Sequence, residues 1–384
     1  MRRALWLVPP AIAVAAAFVT LPPSWIETQY SRSAYLALER RLTTWTNAVP
    51  LATTDALLVI AVVSATLAIR AWLRRARGGP VGTALARAIV RVTATASVIY
   101  LAFVGMWGLN YGREPLRARL DFDSGRVTPD AVAAFARERV ARVNALHGEA
   151  HAAGWAAWEA LPAVLGEGYE RVQRQLADVT PAVPGVPKRS ILTFYFERAG
   201  VSGMTNPFGL EVVVDRSQLP FERPFVTAHE WAHLAGYARE DEASFIGWLV
   251  CLHGPPGAQY SAELAALVSA LGSVPRVDRT AIVRAIDPGP GRDLQAIADR
   301  SARIWPSLHR PAWWLYDRYL RANRVEQGVR SYGQALELMV GTKLGDGNDP
   351  VRREKTEDRR QKIEFGSQNP ESRIRTGEGG GGVV

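Results

Sequence analysis

Two histidines four residues apart, with a glutamate directly after the first, stand at His229-Glu230-Trp231-Ala232-His233. On a helix such positions share one face, so both imidazoles can reach a single ion. Glu230 borders that face, where its carboxylate can take a proton from a water activated by the ion. The chemistry this set suits is hydrolysis, with Zn2+ as the cofactor. With six histidines in the chain, chance rarely produces the pattern. The alternative is a surface helix carrying two unrelated histidines, and the flanking residues argue against it. Pro224 suits a helix start, where its missing N–H costs nothing. Phe225, Val226, Ala228, Trp231, Ala232, Leu234 and Ala235 make the helix apolar on most sides, which is the pattern of a buried helix. Buried imidazoles and a buried carboxylate need partners, and a metal would serve all three. Gly236 offers the stop.

A catalytic zinc usually has three protein ligands and one open position. The metzincin pattern HExxHxxGxxH is half met: Gly236 falls in place, but Arg239 holds the position of the third histidine. A guanidinium stays protonated and cannot ligate. The following Glu240-Asp241-Glu242-Ala243-Ser244 resembles the ExEAD-like segment of membrane gluzincins of the prenyl-protein protease type. In those proteins the first Glu binds zinc from a second helix. The resemblance implies Glu240 as the third ligand, with Glu242 as the alternative. Ser244 stands where the pattern has an Asp that orients a histidine. Acids at a helix start also suit its dipole, and the two roles are compatible. Either choice needs the chain to reverse tightly at Gly236.

A second histidine pair occurs at His147-Gly148-Glu149-Ala150-His151. Its Glu is at the middle position and Gly148 weakens a helix, so it is expected to be a decoy. The single cysteine, Cys251, excludes internal disulfides and lies in an apolar run that reads as core. The formal charge is +9 and Arg supplies most of it; much of that Arg flanks apolar segments or lies in the tail. That distribution suits membrane topology and solvation. Zinc-finger, RRM and helix-turn-helix signatures are lacking, so no nucleic-acid partner is expected.

Three apolar stretches cover residues 4–21, 55–73 and 88–109, each near the roughly 20 residues a spanning helix needs. The first could instead be a signal peptide, with Arg2 and Arg3 as its basic start. Pro9 and Pro10 allow a kink in it. Arg2 and Arg3 before the first stretch, and Arg70, Arg74, Arg75, Arg77 and Arg87 between the second and third, fall on one side of a three-span chain. The positive-inside rule makes that side cytoplasmic. The segment holding Trp25, Tyr30, Tyr35 and Trp45 would then lie outside as an interfacial amphipathic helix. Trp107, Tyr100 and Tyr111 would mark the outer interface of the third span.

Beyond the spans, Thr128-Pro129 reads as an N-cap and first turn of a helix running towards Leu146. Residues 190–197 alternate and read as a strand. Residues 202–209 read as a turn-rich loop, and residues 211–215 as a second strand. Helices are expected near 262–271, 294–304, 312–321 and 332–339. Tyr316, Tyr319, Arg330 and Tyr332 are candidate donors to a developing oxyanion. From Gly345 on, the chain is charged and Gly-rich, the composition of disorder.

These landmarks resemble an uncharacterised bacterial membrane family with a zinc-peptidase signature. The matching pieces are Trp107-Gly108-Leu109-Asn110-Tyr111, Gly203-Met204 with Pro207-Phe208, and Pro224-Phe225 before the histidine motif. Next come Gly236-Tyr237-Ala238-Arg239-Glu240-Asp241-Glu242-Ala243, then Tyr316-Asp317 with Tyr319-Leu320, and Gly328 with Ser331-Tyr332. The resemblance covers roughly residues 1–343 and leaves the substrate open. The expected architecture is mostly α: a membrane region over residues 1–111, an α+β zincin-like metallopeptidase domain with a small sheet over 112–343, and a disordered tail over 344–384. The expected function is a multi-pass zinc metallopeptidase of the cell (inner) membrane that cuts peptide bonds on the extracytoplasmic side. Its partners would be the lipid bilayer and a peptide or protein substrate. The alternative is a zinc-containing membrane binding or assembly protein without hydrolysis.

Overall fold

The first apolar stretch ends at a proline pair, and the chain turns there. In the computed structural model, which describes residues 4–77, 81–177 and 179–353, helix α1 (Val8–Phe18) stops before Pro22-Pro23. Helix α2 (Pro23–Ala48), which includes a π-helical stretch at Ile26–Ala34, leaves at 110° to it. Two helices, α3 (Thr53–Arg77) and α4 (Val81–Met106), are long and apolar enough to cross a membrane, and a third span exists only if α1 and α2 are counted as one bent span. Their apolar side chains point outward: Ile60, Val62, Leu67 and Ile69 on α3, and Ile89, Val92 and Ile99 on α4, are exposed. At only 11 residues α1 is short for a span by itself; it runs along α4.

The fold departs from expectation at α2. Its Trp25 and Trp45 are exposed, but Ile26, Tyr30, Tyr35 and Leu36 are buried in the main core with Glu27 and Glu39. Glu27 forms a buried ion pair with Arg113 at 2.8 Å, and Arg119 joins it. Burial would raise the Glu27 carboxyl, but the two guanidiniums outweigh it and hold the group below the usual carboxylate range. Removing one partner of such a pair costs about 3–5 kcal/mol. The core therefore draws on residues well before 112.

After these long apolar helices, Thr128 Oγ1 caps α5 (Pro129–Ala153) by accepting from the Ala131 amide at 3.1 Å. Helix α6 (Leu161–Ala177) follows. Residues 190–197 are not a strand: helix α7 (Thr193–Ala199) occupies them, closed by Gly200 at φ 76°. Every residue of Ile191-Leu192-Thr193-Phe194-Tyr195-Phe196 is apolar or β-branched, so the alternation carried no face information. The expected loop instead holds β1 (Gly203–Asn206), antiparallel to β2 (Glu211–Val214) with Gly203 opposite Val214. Lys188 adds one parallel bridge to Val213 on β2.

Helices α8 (Arg223–Leu234) and α9 (Glu240–Leu252) form the centre. Nearly all of α9 is buried, as its continuous apolar run requires. Around this pair pack α2, α6 and β2. A second layer joins α5 to α10 (Pro256–Ser273), α11 (Arg276–Arg284) and α12 (Pro288–Ser301). Helix α13 (Pro306–Ala322) runs against α7, and α14 (Gln334–Gly341) against α9. The chain then stays ordered past Gly345: Lys343, Val351 and Arg353 exchange backbone hydrogen bonds with residues 119–121. The rest of the expected disordered tail, residues 354–384, lies outside the described residues.

Candidate metal centre

Helix α8 ends in a tight reversal. Gly236 takes φ 81°, a conformation that disfavours a side chain, and an added Cβ would sit 2.9 Å from Asn110 Oδ1. The Gly236 and Tyr237 amides return to the His233 and Ala232 carbonyls at 2.9 and 3.0 Å. This turn starts α9 beside α8 and sets Glu240 against the histidine pair. At Gly247 the two helices come so close that a Cβ would lie 2.9 Å from the His229 backbone nitrogen.

His229, His233 and Glu240 each present one ligand atom, all within 4.8 Å of one another. Glu240 Oε2 lies 3.2 Å from His229 Nε2 and 3.5 Å from His233 Nε2. Ligands about 2.0–2.1 Å from a tetrahedral zinc lie about 3.3 Å apart, so the donor set fits such an ion. Glu240 Oε2 is buried and accepts no well-formed hydrogen bond among the described residues, as a ligand atom would. Burial would raise the Glu240 carboxyl, but the two histidines outweigh it and hold it well below the usual range.

The other ring nitrogens are held from behind. His233 Nδ1 is 2.8 Å from the Tyr237 carbonyl. A carbonyl only accepts, so Nδ1 carries a proton and Nε2 is the nitrogen left to ligate an ion. Ser244 Oγ lies 3.2 Å from His229 Nδ1. The serine in the place of an aspartate thus still meets a histidine. Glu242 turns the other way, accepting from the Leu116 amide at 2.8 Å. Burial, with Asp241 beside it, pushes its carboxyl up to about 7.

Glu230 is buried against β1. Thr205 Oγ1 lies 3.0 Å from both the Glu230 carboxylate and its backbone carbonyl. A Cβ on Gly203 would meet Glu230 Oε1 at 2.8 Å, so the strand needs glycine there. Burial raises the Glu230 carboxyl, partly offset by His233 and His229. Such a shift brings a carboxylate closer to the working range of a general base.

Four side chains from outside the motif complete the frame. The last carbonyls of α8 have no partners within the helix. Tyr169 donates to the Trp231 carbonyl at 2.8 Å, Trp107 to His233 at 3.3 Å, Tyr35 to Leu234 at 2.8 Å and Arg113 to Gly236 at 2.8 Å. Trp107, expected at a membrane interface, is buried instead, its ring edge-on to His233. The only sequence signal for this role was the cluster of aromatics and Arg113 just after the third apolar stretch.

Of the four candidate oxyanion donors, Tyr316 on α13 reaches the centre, donating from its hydroxyl to Glu240 Oε1. Tyr319 packs with Phe103 and Tyr111, and burial pushes its hydroxyl up to about 12. The side chains of Arg330 and Tyr332 lie outside the described residues.

The protein is a mostly helical one with long apolar helices and a buried His-His-Glu cluster. The chain belongs to a family of proteins of unknown function, DUF3810, whose model matches residues 30–340. No curated protein and no solved structure matches the chain.

Proposed function

We propose that this protein is a membrane-anchored zinc metallopeptidase whose metal ligands are His229, His233 and Glu240 and whose general base is Glu230. The observation that carries the reading is the buried Glu230 carboxylate, fixed by Thr205 beside three converging ligand atoms. A site that only held zinc would need no such acid. When bound, zinc supplies Lewis acidity toward a scissile carbonyl and a water. Glu230 Oε1 or Oε2 takes the water's proton and returns it to the leaving amine. Tyr316 orients Glu240, and its hydroxyl lies close enough to the cluster to donate to oxygen as charge builds there.

The domain sits at one end of the spans, since α1, α3 and α4 all meet it through residues 19, 53 and 106. The arginines flanking the opposite end support an extracytoplasmic site. Reporter fusions after Gly82 should read cytoplasmic and fusions after Arg126 external. Both on one side would remove the topology.

Glu230→Gln is the deciding variant. It keeps size and ligands, so zinc content should stay while cleavage of a peptide library falls by about two to four orders of magnitude, the usual range for a lost general base. Equal cleavage by variant and wild type would exclude Glu230 as the base. Zinc in both with cleavage by neither would favour a binding or assembly role.

A further inference from the structure

The second histidine pair has a partner that its local sequence did not show. His147 and His151 lie one turn apart on α5, with ring centroids 4.2 Å apart. Helix α12 brings Asp293 to them from 142 residues away. Asp293 Oδ2 lies 2.8 Å from His151 Nε2 and 3.7 Å from His147 Nε2, and the three ligand atoms all fall within 4.8 Å. Asp293 is buried and the histidines are partly open to solvent. Tyr260 on α10 donates to the same Oδ2. The rings stand in a built recess. Trp155 and Tyr260 meet His151 edge-on. An added Cβ on Gly289 would come 2.6 Å from His147 Cε1, so the chain leaves room for that ring.

We propose that His147, His151 and Asp293 form a second site for a divalent transition-metal ion, zinc in the first instance, and that this site is structural. Two imidazoles and a carboxylate select zinc and its neighbours over magnesium or calcium, which prefer all-oxygen shells. The separations of 2.8 and 3.7 Å bracket the edge of about 3.3 Å expected around tetrahedral zinc. The pair lacks what the first centre has for hydrolysis. Gly148 follows the first histidine, and Glu149 is exposed away from the cluster. The ion would clip α5 to α12. Further along α12, Arg300 holds Glu222 at 2.8 Å, directly before α8 begins. The clip therefore secures the helix that braces the start of the first centre.

The test is metal counting on the full chain in detergent, stripped with a chelator and reloaded with zinc chloride. Wild type should take up two equivalents. His229→Ala/His233→Ala should keep one, and adding His147→Ala/His151→Ala should remove it. Asp293→Asn keeps shape and the Tyr260 contact, and should weaken the second equivalent by roughly tenfold or more, the scale of a disturbed ligand set. Cobalt loading of the His229→Ala/His233→Ala variant should give the visible absorption of a four-coordinate ion. If that variant is folded by circular dichroism yet binds nothing at micromolar zinc, the proposal fails. It also fails if the quadruple variant still binds one equivalent. A wild type with a single equivalent carried by the His147 pair would sustain this site and remove the first.

Discussion

His229-His233-Glu240 and His147-His151-Asp293 use one donor set: two imidazoles a turn apart and a carboxylate from another helix. Their surroundings differ in every other respect. The first is walled by α9, β1 and Trp107, with an acid next to its leading histidine. The second lies on the flank between α5 and α12, where a glycine follows the leading histidine and both rings reach solvent. Ligand geometry alone therefore says where an ion can sit. Burial, a neighbouring base and helix contact decide whether it could also do chemistry.

The comparison breaks most readily at the histidines. His229→Ala/His233→Ala should abolish peptide cleavage, whereas His147→Ala/His151→Ala should leave it intact in freshly folded protein and lower thermal stability. Equal loss of cleavage in both, with the His147→Ala/His151→Ala variant still folded and still holding the first zinc, would make the second site catalytic too.

Next in size is the carboxylate. Glu240→Gln should release the first zinc on dialysis, and Glu242→Gln should not, because Glu242 serves the Leu116 amide. Zinc loss in Glu242→Gln with full retention in Glu240→Gln would reverse the ligand assignment.

Tyr316→Phe removes only the hydroxyl that holds Glu240. Zinc affinity should fall about 10–100-fold, the cost of losing a group that orients a ligand. Unchanged affinity with slower cleavage would move Tyr316 from orienting Glu240 to stabilising the oxyanion.

The smallest effect comes from two glycines. A Cβ at Gly148 meets open space, so Gly148→Ala should stabilise α5 by about 0.5–1 kcal/mol. Gly247→Ala must push against the His229 backbone and should destabilise the protein and loosen the first zinc. Denaturant unfolding of the two variants reads the difference, and the same sign for both would contradict the packing contrast.

Spacing alone put His229, Glu230 and His233 on one helix; Glu240, one tight turn later, came from the resemblance of the acidic segment to a gluzincin, which left Glu242 open beside it. Thr128 and Pro129 likewise announced α5 locally. Contacts made across the chain left no local mark. Asp293 is an ordinary acid until the fold sets it beside His151. Tyr35 and Trp107 read as interface aromatics, yet they donate to the last carbonyls of α8. Strand β1 is built from turn-forming residues and is a strand because β2 pairs with it. The apolar run of α7 fits either period, and the fold makes it a helix.

The position of α2 has a consequence for how the protein is made. Its Tyr35 hydroxyl waits for a carbonyl 199 residues further on. At bacterial-type synthesis rates of about 5–20 residues per second, that is an interval of about 10–40 s. During it, α3 and α4 are made while Glu27, Ser31 and Glu39 still lack their later partners. On the membrane-anchored reading, a growing chain would enter the bilayer before the segment that closes the His229-His233-Glu240 cluster exists. For the same reason a fragment beginning after the last span would lack the side chains that finish α8. On the membrane-anchored reading proposed above, insertion would be an early step of building the centre, and proteolytic shedding of the domain would remove the side chains that finish its site.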